Sequence, residues 1–359
     1  MQQQPHACIR LAALRHNFAR IQQWAPNSKV MAVIKSNAYG HGDVAVAKAL
    51  PDCDAFAVAT LAEAVRLRQA GIRQDIVLLE GVQSEAQYQQ AVTLHLTPVI
   101  HEIRQLGWLE TYQGTLPACW IMVETGMNRL GFPPNDIALI YQRIKKSHRV
   151  TGDIGLMSHF ANADTPDDQR NQQQLERLSG LTLFDTLPVS MANSAAIVQL
   201  PESQLQWVRP GLMLYGASPF LAKDAKQLGL QAVMTVKAQI IAIKVIQAGE
   251  EVGYGGDYTA ATVKKIGIIN MGYGDGLSRQ LSNCGFVLWQ QKRLAILGRI
   301  SMDMTCIDVT ASTAAIGDEV TIWGESMPIE ATAMQAGTIP YELFCQLTMR
   351  IPRLYDGKN

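Results

Sequence analysis

The chain has 359 residues, 48% of them apolar, so it can bury a substantial core and is long enough for two domains. Its 31 basic and 31 acidic side chains cancel, leaving no electrostatic footprint for nucleic acid or for an anionic membrane. Six scattered cysteines without a CxxC pair argue against a zinc site and against a dense disulfide framework. No apolar run approaches the ~20 residues of a bilayer span, and the opening ten residues lack the apolar core of a signal peptide. A cytoplasmic protein is expected.

In chain order, a β-branched run predicts a buried strand over 30–35 that delivers Lys35 into a small, polar turn bounded by Gly40 and Gly42, followed by a helix over 43–50. Further strands are predicted over 55–59, 76–80, 97–101, 118–124, 152–159, 188–193 and 207–215, with helical spacing over 61–70, 135–146 and 167–178. Eight strands alternating with helices imply a parallel sheet closed into a (β/α)8 TIM-type barrel. An open doubly wound sheet is the alternative, but no GxGxxG follows the first strand. Beyond residue 230 β-rich, Gly-punctuated segments predict a mainly antiparallel domain with one late helix over 329–336. The division is therefore a barrel over 1–228 and a β domain over 229–359, with residues 1–10 able to pair with the β domain.

Barrel enzymes place their chemistry at the C-terminal ends of the strands, often with a phosphate at the loops after strands seven and eight. Lys35 ends strand one, and condensation of a lysine with an aldehyde requires the neutral amine, which a desolvated site favours. Strand seven ends in Asn193 and Ser194, where a hydroxyl and helix-start amides suit an anion; strand eight carries Arg209, Gly211 and Leu212. His159 ends strand six, and Arg129 lies in ETGMNRLG. Each of these alone also reads as ordinary packing or a solvated side chain.

The run VIKSNAYGHG resembles the pyridoxal-phosphate lysine motif of alanine racemases, and TGMNRLG, VGYGGDY, MGYGDG, GRISMDM and IPYELFC are similar to later segments of that family in the same order. The resemblance implies a homodimer with shared active sites that interconverts L- and D-alanine on pyridoxal 5'-phosphate. It implies that Lys35 holds the cofactor and acts on one face of the substrate, while Tyr254 of the partner subunit acts on the other, since racemisation is simplest with two acid/base groups. Tyr39, Ser194, Tyr341 and the amides of Gly211 and Leu212 would hold the phosphate, with Asn193 beside them. His159 would stack on the ring and bond to Arg209, which would face the pyridine nitrogen. A permanently charged arginine there weakens the ring as an electron sink and favours simple reprotonation. Arg129 would contact the cofactor's phenolic oxygen and the substrate carboxylate, which Tyr273 and the Met302 backbone of the partner would also reach. A tyrosine base needs its phenolate favoured, for which protonated His159, Arg129 or Arg209 would serve. Arg279, Asp164 and Asp303 fall where the family's approach channel lies.

One position departs from the pattern: Met122 stands where many family members carry a carbamylated lysine that orients the arginine equivalent to Arg129. The alternatives are a broader amino-acid racemase accepting serine, a decarboxylase on the same barrel, which Arg209 disfavours, and a non-enzymatic pyridoxal-phosphate carrier, which would lack the β domain.

Overall fold

β1 (His6–Ile9) and α1 (Leu11–Trp24) open the computed structural model, which describes residues 4–165, 167–220 and 223–356. The first three residues of the predicted 1–10 stretch, and positions 221 and 222 near the predicted domain boundary, lie outside the described residues. β2 (Lys29–Val33) leads through α2 (Lys35–Tyr39), a single turn, to α3 (Asp43–Ala49). The rhythm continues with β3 (Ala55–Val58), α4 (Leu61–Gln69), β4 (Asp75–Leu78), α5 (Glu85–Thr93), β5 (Thr97–Ile100), α6 (Ile103–Thr111) and β6 (Cys119–Met122). It ends with α7 (Ile137–Ser147), β7 (Ile154–Met157), α8 (Gln169–Ser179), β8 (Val189–Ser190), α9 (Ser194–Gln199) and β9 (Trp207–Val208).

Strands β2 to β9 close into a parallel barrel in chain order, β9 pairing back onto β2 through Lys29↔Trp207 and Val30↔Val208. Residues such as Met31, Phe56, Ile76, Val99 and Ile121 are fully or almost fully buried, as expected of strands covered on both faces. Helix starts carry side-chain caps: Thr60 and Glu63 form a capping box on α4, Ser84 caps α5 and Asp168 caps α8.

The last two barrel strands are far shorter than predicted. The eighth was expected over 207–215 but ends at Val208, and Leu212–Tyr215 forms a 3-10 turn. Pro210 has no N–H to continue a ladder, and the Gly211 amide is taken by the Ser194 hydroxyl at 3.0 Å. Likewise the seventh, expected over 188–193, is cut short because Asn193 already caps α9.

The other part of the chain holds β10 (Met234–Ile246), β11 (Glu251–Val252), β12 (Tyr258–Thr259), β13 (Lys264–Ile269), β14 (Phe286–Trp289), β15 (Lys292–Leu297), β16 (Thr305–Asp308) and β17 (Glu319–Trp323). α10 (Ile329–Gln335), α11 (Pro340–Gln346) and β18 (Arg353–Tyr355) follow. Seven of these strands and β1 form one sheet in the order β13-β16-β15-β14-β17-β10-β1-β18, and β13 also pairs with the long β10. β1 runs antiparallel to β10 and parallel to β18. By contacts the chain separates into two units: one is built from Phe18–Ala38 and Asp43–Leu214, the other from the residues up to Asn17, Tyr39–Gly42 and the residues from Tyr215 onward. No helix among the described residues is long and apolar enough to cross a membrane.

Candidate active site

Lys35 is half-buried just beyond β2, at the C-terminal end of the barrel. The turn that follows is left-handed: Ser36, Asn37, Ala38 and Tyr39 have φ of 53°, 55°, 52° and 51°. For residues with a Cβ this conformation costs about 1–2 kcal/mol each, so four in succession require external support. The Ala38 amide bonds to the Ile34 carbonyl at 2.9 Å, the Ser36 amide to Glu63 Oε1 at 2.6 Å, and the Asn37 side chain accepts the Asp43 amide at 3.1 Å.

At the ends of β7, β8 and β9 sits Arg209, 5% exposed. Its Nη1 donates to Ser190 Oγ at 2.7 Å, and its Nη2 donates to the Ser158 carbonyl and to His159 Nδ1, the latter at 3.3 Å. Among the described residues it makes no ion pair, and burial, then Arg129, pulls its pKa down to about 9. A guanidinium has only donors, so Nδ1 of His159 is the acceptor and the proton of the neutral ring lies on Nε2. Burial, followed by the charges of Arg209, Arg129 and Lys35, pushes the His159 pKa down to about 3. The expectation that a protonated His159 could favour a phenolate is therefore corrected: this imidazole is neutral at physiological pH.

A buried polar network behind His159 joins the ends of β6 and β7 to α8. The Thr125 hydroxyl bonds to Ser158 Oγ at 2.8 Å and accepts from Gln174 Nε2 at 3.2 Å. Gln174 also donates to the His159 carbonyl at 3.0 Å and accepts the Ala161 amide at 3.0 Å, while Arg177 reaches the Thr125 carbonyl at 2.7 Å. Arg129 lies on the exposed loop after β6, where the Glu124 carboxylate accepts the amides of Gly126 and, at 3.3 Å, of Arg129. Met122 is buried beneath this loop.

Ser194 and Gly211 meet, since Ser194 Oγ accepts the Gly211 amide at 3.0 Å and the Met213 amide at 3.3 Å, with buried Leu212 between them. The amides expected to be free at the start of α9 are partly engaged: Asn193 Oδ1 accepts those of Ala195 and Ala196 at 3.1 and 3.0 Å.

Asp164 lies after β7 in the same unit, and the remaining predicted residues belong to the other. Tyr39 and Tyr341 approach with ring centroids 5.8 Å apart. Tyr39 is buried, and burial, then Tyr341 and Cys345, pushes its phenol well above the usual range, so it stays protonated as a donor. Tyr273 and Met302 lie on hydrogen-bonded segments, Tyr273 N to Ser301 O at 3.0 Å and Gly274 N to Met302 O at 2.8 Å. Tyr273 and Arg279 border a cavity of about 690 Å³ with Glu342 and Gln346. Tyr254 stands on a turn of positive-φ glycines and is 71% exposed; Met302 is 52% and Tyr273 43% exposed. Asp303 pairs with Arg350 at 2.7 Å.

Sequence reasoning missed Glu124, Ser158, Gln174 and Ser190, each bonded to a predicted residue, and Glu63, which accepts the amide of Ser36 next to Lys35. A signal existed for Glu63 alone, as the fourth residue of the capping box Thr60-x-x-Glu63.

Two family profiles match the chain: "Alanine racemase, N-terminal domain" over residues 9–219 and "Alanine racemase, C-terminal domain" over 233–355. An alanine racemase of Nitrosococcus oceani is 44% identical over 98% of this chain and 99% of its own length. The biosynthetic alanine racemase structure from Pseudomonas aeruginosa superposes with a TM-score of 0.94 at 38% identity, covering 99% of this chain and 100% of that one. An alanine racemase from Bartonella henselae, solved with covalently bound pyridoxal phosphate, gives 0.88 at 29% identity, covering 98% and 99%. With both halves matched in order and full-length relatives above 40% identity, the chain belongs to the alanine racemase family.

Proposed function

We propose that this chain interconverts L- and D-alanine as a homodimer using pyridoxal 5'-phosphate, with Lys35 and Tyr254 of the partner subunit as the two acid/base groups. The observation that carries the reading is a buried arginine, Arg209, with no carboxylate partner among the described residues and bonded to a neutral imidazole, His159, at the barrel end where Lys35 emerges. The donor set fits the cofactor. A buried cation suits an uncharged ring nitrogen, a neutral imidazole suits an aromatic face, and a hydroxyl with adjacent backbone amides after the seventh and eighth strands suits a phosphate.

The residues that would hold pyridoxal phosphate are Lys35, Tyr39, Arg129, His159, Asn193, Ser194, Arg209, Gly211, Leu212 and Tyr341. When bound, it supplies an electrophilic aldehyde and a ring that withdraws electrons from the substrate's α-carbon. The chain's own groups do the rest. Arg129, with Tyr273 and the Met302 backbone of the partner subunit, would bind and orient the substrate carboxylate. The Lys35 amine would take or return the α-proton on one face, and the Tyr254 phenol of the partner subunit would do so on the other. Arg209 keeps its proton, holding the ring nitrogen unprotonated and limiting charge delocalisation, which favours return of the proton over side reactions. Tyr341 would narrow the space around a methyl side chain.

The test is loss of optical rotation from L-alanine with the purified, pyridoxal-phosphate-loaded protein, repeated with L-serine. Racemisation of alanine well ahead of serine supports the reading. Equal rates would favour a broader racemase, and no racemisation with the cofactor retained would favour a carrier.

A further inference from the structure

Two side chains one turn apart on α4 bear on the left-handed turn α2, Glu63 directly through the Ser36 amide and Arg66 indirectly through Asp43. Glu63 is buried, and its carboxylate serves three backbone amides: Oε2 accepts those of Ala59 and Thr60 at 2.9 and 3.0 Å, and Oε1 accepts that of Ser36 at 2.6 Å. Capping α4 accounts for the first two. The third belongs to the residue directly after Lys35 and adds nothing to the cap. On the same helix face Arg66 donates from Nε and Nη2 to Asp43 Oδ2 at 3.1 and 2.6 Å, and the amide of buried Asp43 donates to Asn37 Oδ1 at 3.1 Å. Within the turn the Ala38 amide bonds back to the Ile34 carbonyl at 2.9 Å.

We propose that α4 is the clamp that fixes the lysine turn, with Glu63, and at the far end Arg66, as positioning residues for Lys35. The inference rests on the reading of Lys35 as the cofactor lysine. Residues with a Cβ leave the left-handed region unless held, and the Ser36 amide bond to a carboxylate is the contact nearest Lys35 that holds them. When that acceptor is removed, the backbone at Ser36 relaxes, and the direction in which the Lys35 side chain leaves its Cα changes with it.

The experiment compares Glu63→Gln, Arg66→Gln and Thr60→Ala in the full-length, pyridoxal-phosphate-loaded protein. Thr60→Ala is the control: it removes the other half of the capping box, the 3.3 Å bond from Glu63 N to Thr60 Oγ1, and leaves the Ser36 contact intact. Amide hydrogen exchange over residues 34–40, followed by mass spectrometry, should accelerate about ten- to a hundredfold in Glu63→Gln, the loss of one charge-assisted bond, and in the same direction in Arg66→Gln. In Glu63→Gln, kcat for alanine should fall by about ten- to a hundredfold, and the pH titration of the bound cofactor's absorbance should shift, because the amine is displaced. Thr60→Ala should lower the melting temperature yet leave exchange over 34–40, the absorbance titration and kcat as in the wild type. Should Glu63→Gln fail to fold, Arg66→Gln carries the test. If the folded variants match Thr60→Ala in all three readouts, Glu63 is a helix cap only and the clamp is refuted. A wild-type protein that retains no cofactor on Lys35 would instead overturn the functional reading, while the exchange data would still judge the clamp.

Discussion

The barrel end and the sheet domain treat their predicted site residues in opposite ways. Around β7 to β9, Arg209, Ser194 and Ser158 are buried and hydrogen-bonded: Arg209 donates to the Ser158 carbonyl and to Ser190 Oγ, and Ser194 Oγ accepts the Gly211 amide. In the sheet domain Tyr254, Met302 and Tyr273 stand 71%, 52% and 43% exposed, the two tyrosines beside glycines. These three residues at the barrel end, unlike Arg129 on its exposed loop, are thus fixed by their own unit, as preorganised sites require. Those proposed to meet a transient substrate are presented outward, which suits a site completed by another copy of the chain.

The sharpest test of that contrast separates its two halves genetically. Lys35→Ala and Tyr254→Phe should each lower racemisation by about 10²–10⁴-fold, and mixing the two inactive chains should return one intact site per heterodimer. Subunit exchange without recovered activity would mean that the exposed tyrosine does not serve a second barrel. A smaller effect is expected at the barrel's own loop. Glu124→Ala removes the acceptor of the Gly126 and Arg129 amides and should raise KM for alanine about three- to tenfold with kcat little changed, as steady-state kinetics would reveal.

Stability against pH probes the buried half alone. His159 has a folded pKa near 3, below the ordinary 6.5, so the unfolded chain binds a proton more readily between those values. Its contribution is complete above about pH 6.5 and is lost as the pH falls toward 3. His159→Asn should flatten the fall of stability through that window by at most about 1.4 kcal/mol per pH unit, seen as a shallower decline of melting temperature. The least effect is expected at Met122. A thioether cannot be carbamylated, so activity at fixed pH should be the same with and without bicarbonate; a rate that follows bicarbonate would place a carbamate elsewhere in the protein.

The barrel and its lysine were legible because fully buried parallel strands leave uninterrupted apolar runs, and a lone lysine at the end of one stands out. The handedness of the turn after Lys35 was not legible, since it depends on Glu63, 27 residues away in sequence. His159 was found as a residue but misjudged as a possible cation, because its neutrality arises from burial and three cationic neighbours that only the fold assembles. Two helices were overlooked despite a local signal. α1 carries Leu11, Leu14, Phe18 and Ile21 on one buried stripe, and α11 opens with Pro340 at its first position. Shortening of the last barrel strands was written in Pro210, which was passed over, and in the capping side chain of Asn193, which had been read only for anion binding.

The final strand also sets a schedule. Arg353 in β18 donates to the carbonyls of Gly40 and Leu347, and the Tyr355 hydroxyl donates to the His41 carbonyl at 3.0 Å. The stretch just past the lysine turn therefore acquires these partners only after Arg353, 313 residues further along the chain than Gly40, has left the ribosome. A nascent chain stalled short of Arg353 would carry its lysine motif with the exit from that turn unanchored, so the anchoring of that exit waits on synthesis of β18.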